Sequence, residues 1–339
     1  MLAGNSAGSG LHERSNVVLN MTRTIAQVEN RSSSDTFRLD VLIGLCQPQK
    51  VTPAKHLYDE YGSQLFDQIT ELDEYYPSRT ETAIMREHGA EMARQIGPGC
   101  LLIEYGSGNS AKTRVLLDHL SEPAGYVPID ISEEHLHASA EILGNEYPGL
   151  RIFPIATDFT SNVELPEIDV PVRRNVVYFP GSTIGNFKPD TARKLLASIA
   201  ELAGKNGALL LGVDLQKSVD VLEAAYNDAR GVTAAFTLNM LTRINRELDA
   251  DFDVANFEHI AIYNHERHCV ELFIVSQRDQ TVRVGNSWFH FAAGERILTE
   301  RSHKYSLAGF EELAREAGFD VAGVWMDENQ LFSVQYLTV

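Results

Sequence analysis

Five short apolar runs, separated by segments of helical pattern, constrain this chain more than any other feature. Leu101 to Tyr105 is apolar apart from Glu104, and a glycine turn follows it. Tyr126 to Ile129 is the second run and ends in Asp130. Ile152 to Ala156 is the third, close to Asp158. Asn175 to Phe179 is the fourth, and Ala208 to Val213, ending in Asp214, is the fifth. Ser132 is placed to cap a helix beginning Glu133-Glu134, whose charges suit a helix N-terminus. Pro189-Asp190 opens a helix that runs to about Ala203, where Gly204 stops it. Buried strands alternating with helices predict an α/β fold with a mostly parallel sheet covered on both faces.

The first of these strands ends in Glu104-Tyr105-Gly106-Ser107-Gly108-Asn109. Glycines let a backbone turn sharply and approach a ligand without Cβ interference. In open α/β sheets ligands lie beyond the carboxyl ends of the strands. Three acids stand at such ends: Glu104, Asp130 and Asp158. An acid ending the second strand can accept from both hydroxyls of a ribose. Asp158-Phe159 can meet an adenine at its amino edge and its face. The combination resembles class I methyltransferases that use S-adenosylmethionine. Two other nucleotide readings are weaker. Gly106 to Thr113 nearly spells a phosphate-binding loop, but Ala111 replaces the glycine before Lys112-Thr113, where backbone amides must close on phosphate. The dinucleotide pattern is formally met, but the sheet that follows lacks a second nucleotide-binding half.

Residues from about 24 to 80 and from about 217 to 306 do not alternate in this way. The second stretch carries two helical patterns and then strands, such as Val270 to Ser276 and Ser287 to Phe291. A helix (Ser306 to Ala317, stopped by Gly318) and two strands ending Leu331 to Val339 close the chain. The expectation is therefore two domains. Residues 81–216 plus 307–339 form the nucleotide-binding sheet domain, and 24–80 plus 217–306 form an α+β substrate domain. Residues 1–23, with their Gly, Ser and Asn, read as a disordered lead-in.

Composition narrows the partners. Basic residues number 29 and acidic residues 47, for a net charge of −18, which repels polyanions and favours a small-molecule substrate over nucleic acid. No apolar run approaches the roughly 18 residues of a membrane span. Cys46, Cys100 and Cys269 are far apart and odd in number, so they suggest neither a disulfide framework nor a zinc site. His135/His137 and His265/His268 lack the i, i+4 spacing of helical metal ligands, and no metal is expected. A reducing cytoplasm and a monomer are the expectations.

Specific strings then accumulate in order: Tyr58-Asp59 with Gly62 to Thr70, Glu74 to Glu81, Gly106 to Arg114, Gly181 to Asn186, Tyr226 to Ala229 with Gly231 to Phe236, and Leu298 to Ser302. Together they resemble the histidine-specific Nα-methyltransferase family of ergothioneine biosynthesis, from about residue 35 to the end. The resemblance implies a class I methyltransferase core with a substrate domain built from an N-terminal piece and a central insertion. It implies three methylations of free L-histidine, through its mono- and dimethyl forms, to Nα,Nα,Nα-trimethylhistidine (hercynine). It places Gly106, Lys112, Asp130, Asp158 and Phe159 at S-adenosylmethionine. It places Asn186 and Tyr226 at the histidine carboxylate, Glu300 and Ser302 at the imidazole, Tyr58 and Tyr75 near the amine and the histidine, and Gly181 beside the amine. One departure is visible, since Leu272 stands where some members carry Met.

Singly, these residues have plainer readings. Asn186 suits a left-handed turn, Tyr226 a helical core face, Tyr75 packing before Pro77, and Glu300 and Ser302 a solvated strand. Their joint appearance in the family order favours the site. A phenol with a pKa near 10 is a poor base at neutral pH, so Tyr58 is expected to act at the reacting centre by orientation and cation–π attraction. The rival readings are a same-fold enzyme acting on another amine and a binding module without catalysis.

Overall fold

The computed structural model describes residues 33–108, 110–161 and 163–339; the expected lead-in lies outside them. In chain order the first part comprises α1 (Ser33–Leu45), β1 (Lys50–Val51), α2 (Glu60–Thr70) and α3 (Tyr76–Ile96). The alternating part follows with β2 (Cys100–Tyr105), α4 (Ala111–Leu117), β3 (Gly125–Asp130), α5 (Glu133–Glu146), β4 (Ile155–Ala156), β5 (Arg174–Phe179), α6 (Pro189–Ala203) and β6 (Ala208–Asp214). The insertion holds α7 (Val219–Ala224), α8 (Val232–Leu248), β7 (Phe257–Asn264), β8 (Cys269–Ser276), the hairpin β9 (Gln280–Val284) and β10 (Ser287–Phe291), and β11 (Arg296–His303). The chain closes with α9 (Leu307–Glu316), β12 (Asp320–Met326) and β13 (Phe332–Thr338).

The larger sheet has the order β12-β13-β6-β5-β2-β3-β4. Its members β4, β3, β2, β5 and β6 are parallel, and β13 and β12 add as an antiparallel edge. Successive side chains of a strand point to opposite faces, so each strand feeds two cores. Leu101, Ile103, Val177, Phe179, Leu209 and Leu211 pack under α6 and α9. Leu102, Tyr126, Val176, Tyr178 and Leu210 pack under α3 and α4. Chain order reverses direction at β2, between β3 and β5, so a crevice opens at the carboxyl ends there.

The second sheet has the order β1-β11-β8-β7. It shares a separate core with α1, α2, α7 and α8, through residues such as Phe37, Leu65, Leu222 and Phe236. Of the three crossings between the parts, at the start of α3, after β6 and after β11, the last two pair with each other. Tyr305 N donates to the Asp214 carbonyl at 3.0 Å, and Gln216 N donates to the Tyr305 carbonyl at 3.0 Å.

Four local readings need correction. The third strand is a ladder only at Ile155–Ala156, with a single bridge at Ile152, because Phe153 and Pro154 intervene. Ser132 occupies the cap position of α5, but its side chain makes no capping bond; the Asp130 carboxylate instead accepts from Ser132 N at 3.0 Å. The cut between residues 80 and 81 falls inside α3, which runs unbroken from Tyr76 because Pro77 suits a first helical turn. Tyr75, read as packing before Pro77, is the cap residue of this helix, and Tyr76 starts it.

Candidate active site

A narrow cavity of about 40 Å³ is lined by Tyr58, Phe66, Tyr75, Gly181, Ser182, Thr183, Asn186, Tyr226, Glu300 and Ser302. All seven residues that the sequence assigns to histidine and its amine are in this set, drawn from widely separated segments. The cavity opens into a cleft of about 970 Å³, and Tyr58, Phe66, Thr183, Asn186 and Glu300 line both. The cleft also holds Gly106, Gly108, Asp130, Asp158 and Phe159, at the carboxyl ends of β2, β3 and β4.

The cleft side is built from local turns. Gly106 has φ +71°, a conformation that favours glycine, and it swings the chain from β2 toward α4. Asp130 accepts from Gly108 N at 3.2 Å and from Ser132 N. A carboxylate has about four acceptor sites, so two remain to meet a ribose diol. Phe159 stacks on Tyr105 with centroids 5.2 Å apart and an interplanar angle of 22°. Its phenyl group thus stands as a fixed apolar wall. Asp158 is more engaged than expected, accepting from Thr160 N and Oγ1 at 3.0 and 2.6 Å and pairing with Lys55 at 3.4 Å. Burial works to raise its pKa, but the Thr160 bonds and the Lys55 charge hold it below the usual carboxylate range.

Lys112 does not line the cleft. It is ion-paired with Glu81, whose side chain is fully buried. The same carboxylate accepts from Gly181 N at 2.9 and 3.0 Å. Glu81 therefore ties the start of α4 to the loop after β5. Glu104 is also buried and accepts from Thr113 at 2.6 Å and from Tyr126. Burial pushes its pKa up to about 8, against the pull of those two bonds.

The cavity side is built from long-range contacts. A short 3₁₀ turn over Thr183–Asn186 presses on β11. A Cβ added to Gly185 would lie 2.7 Å from the His303 carbonyl, so only glycine allows that approach. Ser182, with φ 57°, starts this turn in the left-handed region, and its Oγ accepts from Asp214 N at 2.9 Å. The result puts the Asn186 side chain beside Glu300 in the cavity lining. Burial pushes the Glu300 carboxyl up to about 7, while Lys304 and Asn186 pull it down. The strand alternation carries Glu300 and Ser302 to the cavity, and Arg301 turns away to pair with Glu271 at 3.1 Å. A β-bulge between Leu298 and Glu300 breaks strict alternation upstream, so Thr299 instead bonds the Leu272 carbonyl at 3.1 Å.

Aromatic groups form the opposite wall. Tyr58 meets Phe66 and Phe236 edge-on at 5.4 Å each, and Tyr75 meets Tyr226 at 5.9 Å and 85°. Burial, then the charge of Glu300, raises the pKa of Tyr58 well above 10. That is the wrong direction for a base at neutral pH.

The sequence reasoning did not single out a buried polar cluster behind the cavity. Lys304 and Asp214 are both fully buried and pair at 2.6 Å. Lys217 pairs with Asp214 at 2.6 Å, and Tyr76 donates to the same carboxylate at 2.8 Å. Burial works to raise the Asp214 pKa, and the two ammonium groups more than offset it. Lys304 was open to discovery, because it lies two residues beyond Ser302 and shares its strand phase. Phe66 lies in the Gly62 to Thr70 segment, where nothing local marks it as a wall.

A doubly covered, mostly parallel sheet with a glycine turn, an acid ending its neighbouring strand and an aromatic wall defines a class I S-adenosylmethionine-dependent methyltransferase. The profile of the SAM-dependent, histidine-specific methyltransferases matches residues 37–339, and the chain belongs to that family. It is 40% identical over 302 residues to the histidine N-alpha-methyltransferase of Mycolicibacterium smegmatis, covering 87% of this chain and 92% of that one. It is 41% identical over 297 residues to the Mycobacterium tuberculosis protein of the same name, covering 86% and 91%. It is 30% identical over 287 residues to ergothioneine biosynthesis protein 1 of Neurospora crassa, covering 82% of this chain and 32% of that one.

Proposed function

We propose that the chain transfers methyl groups from S-adenosylmethionine to the α-amino nitrogen of free L-histidine, three times, to give hercynine for ergothioneine synthesis. The observation that carries this is the convergence of Tyr58, Tyr75, Asn186, Tyr226, Glu300 and Ser302 on one narrow cavity beside the Gly106–Asp130 cleft. We assign Asp130 to the ribose hydroxyls, Phe159 to the adenine face, Asp158 to its amino edge, and Gly106 to the close backbone approach. Lys112, held by Glu81, supports the Gly181 loop and so acts on the cofactor side indirectly. Asn186 and Tyr226 suit the histidine carboxylate, and Glu300 and Ser302 suit the imidazole.

S-adenosylmethionine supplies a methyl group on a cationic sulfur that leaves as a neutral thioether. The neutral amine of histidine attacks the methyl carbon, the carbon–sulfur bond breaks, and its electron pair stays on sulfur. The amine proton must leave before each attack, and Tyr58 is not assigned to take it. Positioning supplies most of the acceleration. Tyr58 and Phe66 line the cavity, and an aromatic face turned to a nitrogen that ends as a quaternary cation would attract it by about 0.5–2 kcal/mol.

The reading divides the chain between a cofactor part and a substrate part, with the first junction at the start of α3. The free cysteines Cys46, Cys100 and Cys269 suit a cytoplasmic setting, and we take the protein to act there as a monomer. Among the described residues, no helix is long and apolar enough to cross a membrane.

The test is a panel of free amino acids and histamine incubated with S-adenosylmethionine and followed by mass spectrometry. Histidine should gain one CH₂ mass per methyl, up to three, and histamine none. No gain on histidine, or equal gain on histamine, overturns the proposal.

A further inference from the structure

Lys304 touches three acceptors and nothing else need satisfy it. Its Nζ lies 2.6 Å from Asp214 Oδ2, 2.9 Å from Tyr226 Oη and 2.7 Å from Ser302 Oγ. An ammonium has three N–H donors and no acceptor, so all three bonds run outward from Lys304. Asp214 in turn accepts from Lys217 and Tyr76 as well, which holds it as a carboxylate acceptor. Tyr226 Oη and Ser302 Oγ each present a lone pair to the cation. Their own protons must then point away from Lys304. Tyr226 can spend its proton on Ser302 Oγ, 2.9 Å away, or on a carboxylate in the cavity. Ser302 borders the cavity, and its proton has that direction left.

We propose that Lys304 is a positioning residue that sets the hydrogen-bond polarity of the cavity, making Ser302 a donor to an unprotonated ring nitrogen and selecting the neutral imidazole of the substrate. This rests on the reading that Glu300 and Ser302 face the ring. Glu300 then accepts the single ring N–H. An imidazolium carries two N–H groups and no lone pair, so its second N–H would meet Ser302 proton to proton. Its positive charge would also face Lys304 through one hydroxyl. The charged and titratable groups around Lys304 are Asp214 and Lys217 from the β6 side with Tyr76 on the same carboxylate, Tyr226, Glu300 and His303 on the strand that leads into it, and Tyr263 and Cys269 from β7 and β8 of the same sheet. The two ammonium groups there, Lys304 and Lys217, are matched by the carboxyl groups of Asp214 and Glu300, so the selection rests on hydrogen-bond polarity rather than on net charge. Tyr58 and Tyr75 face Glu300 and are neutral hydroxyls.

The wild-type test is nitrogen NMR of ring-labelled histidine bound with S-adenosylhomocysteine at about pH 6, below the free ring pKa of about 6.5. One pyrrole-type and one pyridine-type nitrogen are expected. Two protonated nitrogens overturn the proposal. The second test is the ratio of kcat/KM for histidine over 1,2,4-triazolylalanine, whose ring stays neutral through this range. In wild type the ratio should fall about tenfold per pH unit below about 6.5. In Lys304→Met, or in Lys304→Met/Asp214→Asn where the single variant does not fold, it should change less than twofold. A purely structural role lowers both substrates together and leaves the wild-type pH dependence of the ratio, which overturns the assignment. Glu300→Gln and Ser302→Ala separate the two levels. If neither changes the preference for histidine over phenylalanine, the ring is not read there and the underlying reading fails. If they change it and Lys304→Met keeps the wild-type pH dependence, only the role of Lys304 fails.

Discussion

The cofactor cleft and the substrate cavity share a wall but are built by opposite means. The cleft is lined in part from residues 40–67 and 298–301, but the residues assigned to the nucleoside fall within 106–159, where each turn follows a strand of one sheet, and their carboxylates are partly exposed and held by neighbours two or so residues away. Asp130 bonds Ser132 N and Asp158 bonds Thr160 N. The cavity takes side chains from between residues 58 and 302, and the polar cluster behind it, Tyr226, Ser302, Lys304 and Asp214, is buried and tied across the fold. Lys304 and Asp214 are 90 positions apart in sequence, and Tyr226 and Ser302 are 76 apart. Partial exposure suffices to grip a nucleoside by charge-assisted bonds. Discrimination between amino acids needs desolvated groups that are costly to leave unpaired, and such groups stay in place only inside a connected network.

The sharpest way to break this contrast is Glu300→Ala. A buried polar pair rejects a ring that cannot hydrogen-bond by about 10⁴–10⁵, far more than shape alone gives. The ratio of kcat/KM for histidine over phenylalanine should therefore fall by about three orders of magnitude or more. A ratio unchanged from wild type would mean that the cavity does not read the side chain. On the cleft side, Asp130→Ala removes charge-assisted bonds worth about 1.5–3 kcal/mol each. Calorimetry should show S-adenosylmethionine binding weakened about tenfold to several hundredfold, with melting temperature nearly unchanged, since Asp130 belongs to no buried network. Equal cofactor affinity in the two proteins would remove Asp130 from the ribose.

Titration separates the two regions further. Burial raises Glu300 to about 7, so it takes a proton as pH falls through neutrality and stops accepting. Binding of a histidine analogue whose ring does not ionise should weaken about tenfold per pH unit below about 7, and the slope should vanish in Glu300→Gln. Cofactor binding should lack this limb. A limb shared by both ligands would locate the titrating group outside the cavity. The smallest effect is expected at the cleft rim. Lys55 and Asp158 pair at 3.4 Å with side chains 34% and 28% exposed, so solvent screens the contact. Lys55→Ala should cost about 0–1 kcal/mol of stability in a denaturant titration. A loss several times larger would show that this pair joins the two parts of the molecule.

How much could be read beforehand follows the same division. Strand alternation, helix stops at Gly204 and Gly318, and the glycine turn with its acids are local signals. Backbone propensity and side-chain periodicity write them within a few residues, so the sheet and the cleft were evident in the sequence. The cavity residues were found by their resemblance to a family. Taken singly, each had a plausible reading as core, turn or solvated strand. Only the folded chain brings Gly185 against the His303 backbone and thereby sets Asn186 beside Glu300. Only the pairing of the last two interdomain crossings buries Lys304 against Asp214 behind Tyr226 and Ser302. The physical reason is range. Hydrogen-bonded turns and amphipathic faces are decided by neighbours in the chain, whereas burial, and with it the direction of every pKa shift and hydroxyl proton in the cavity, is decided by what tertiary packing excludes from water.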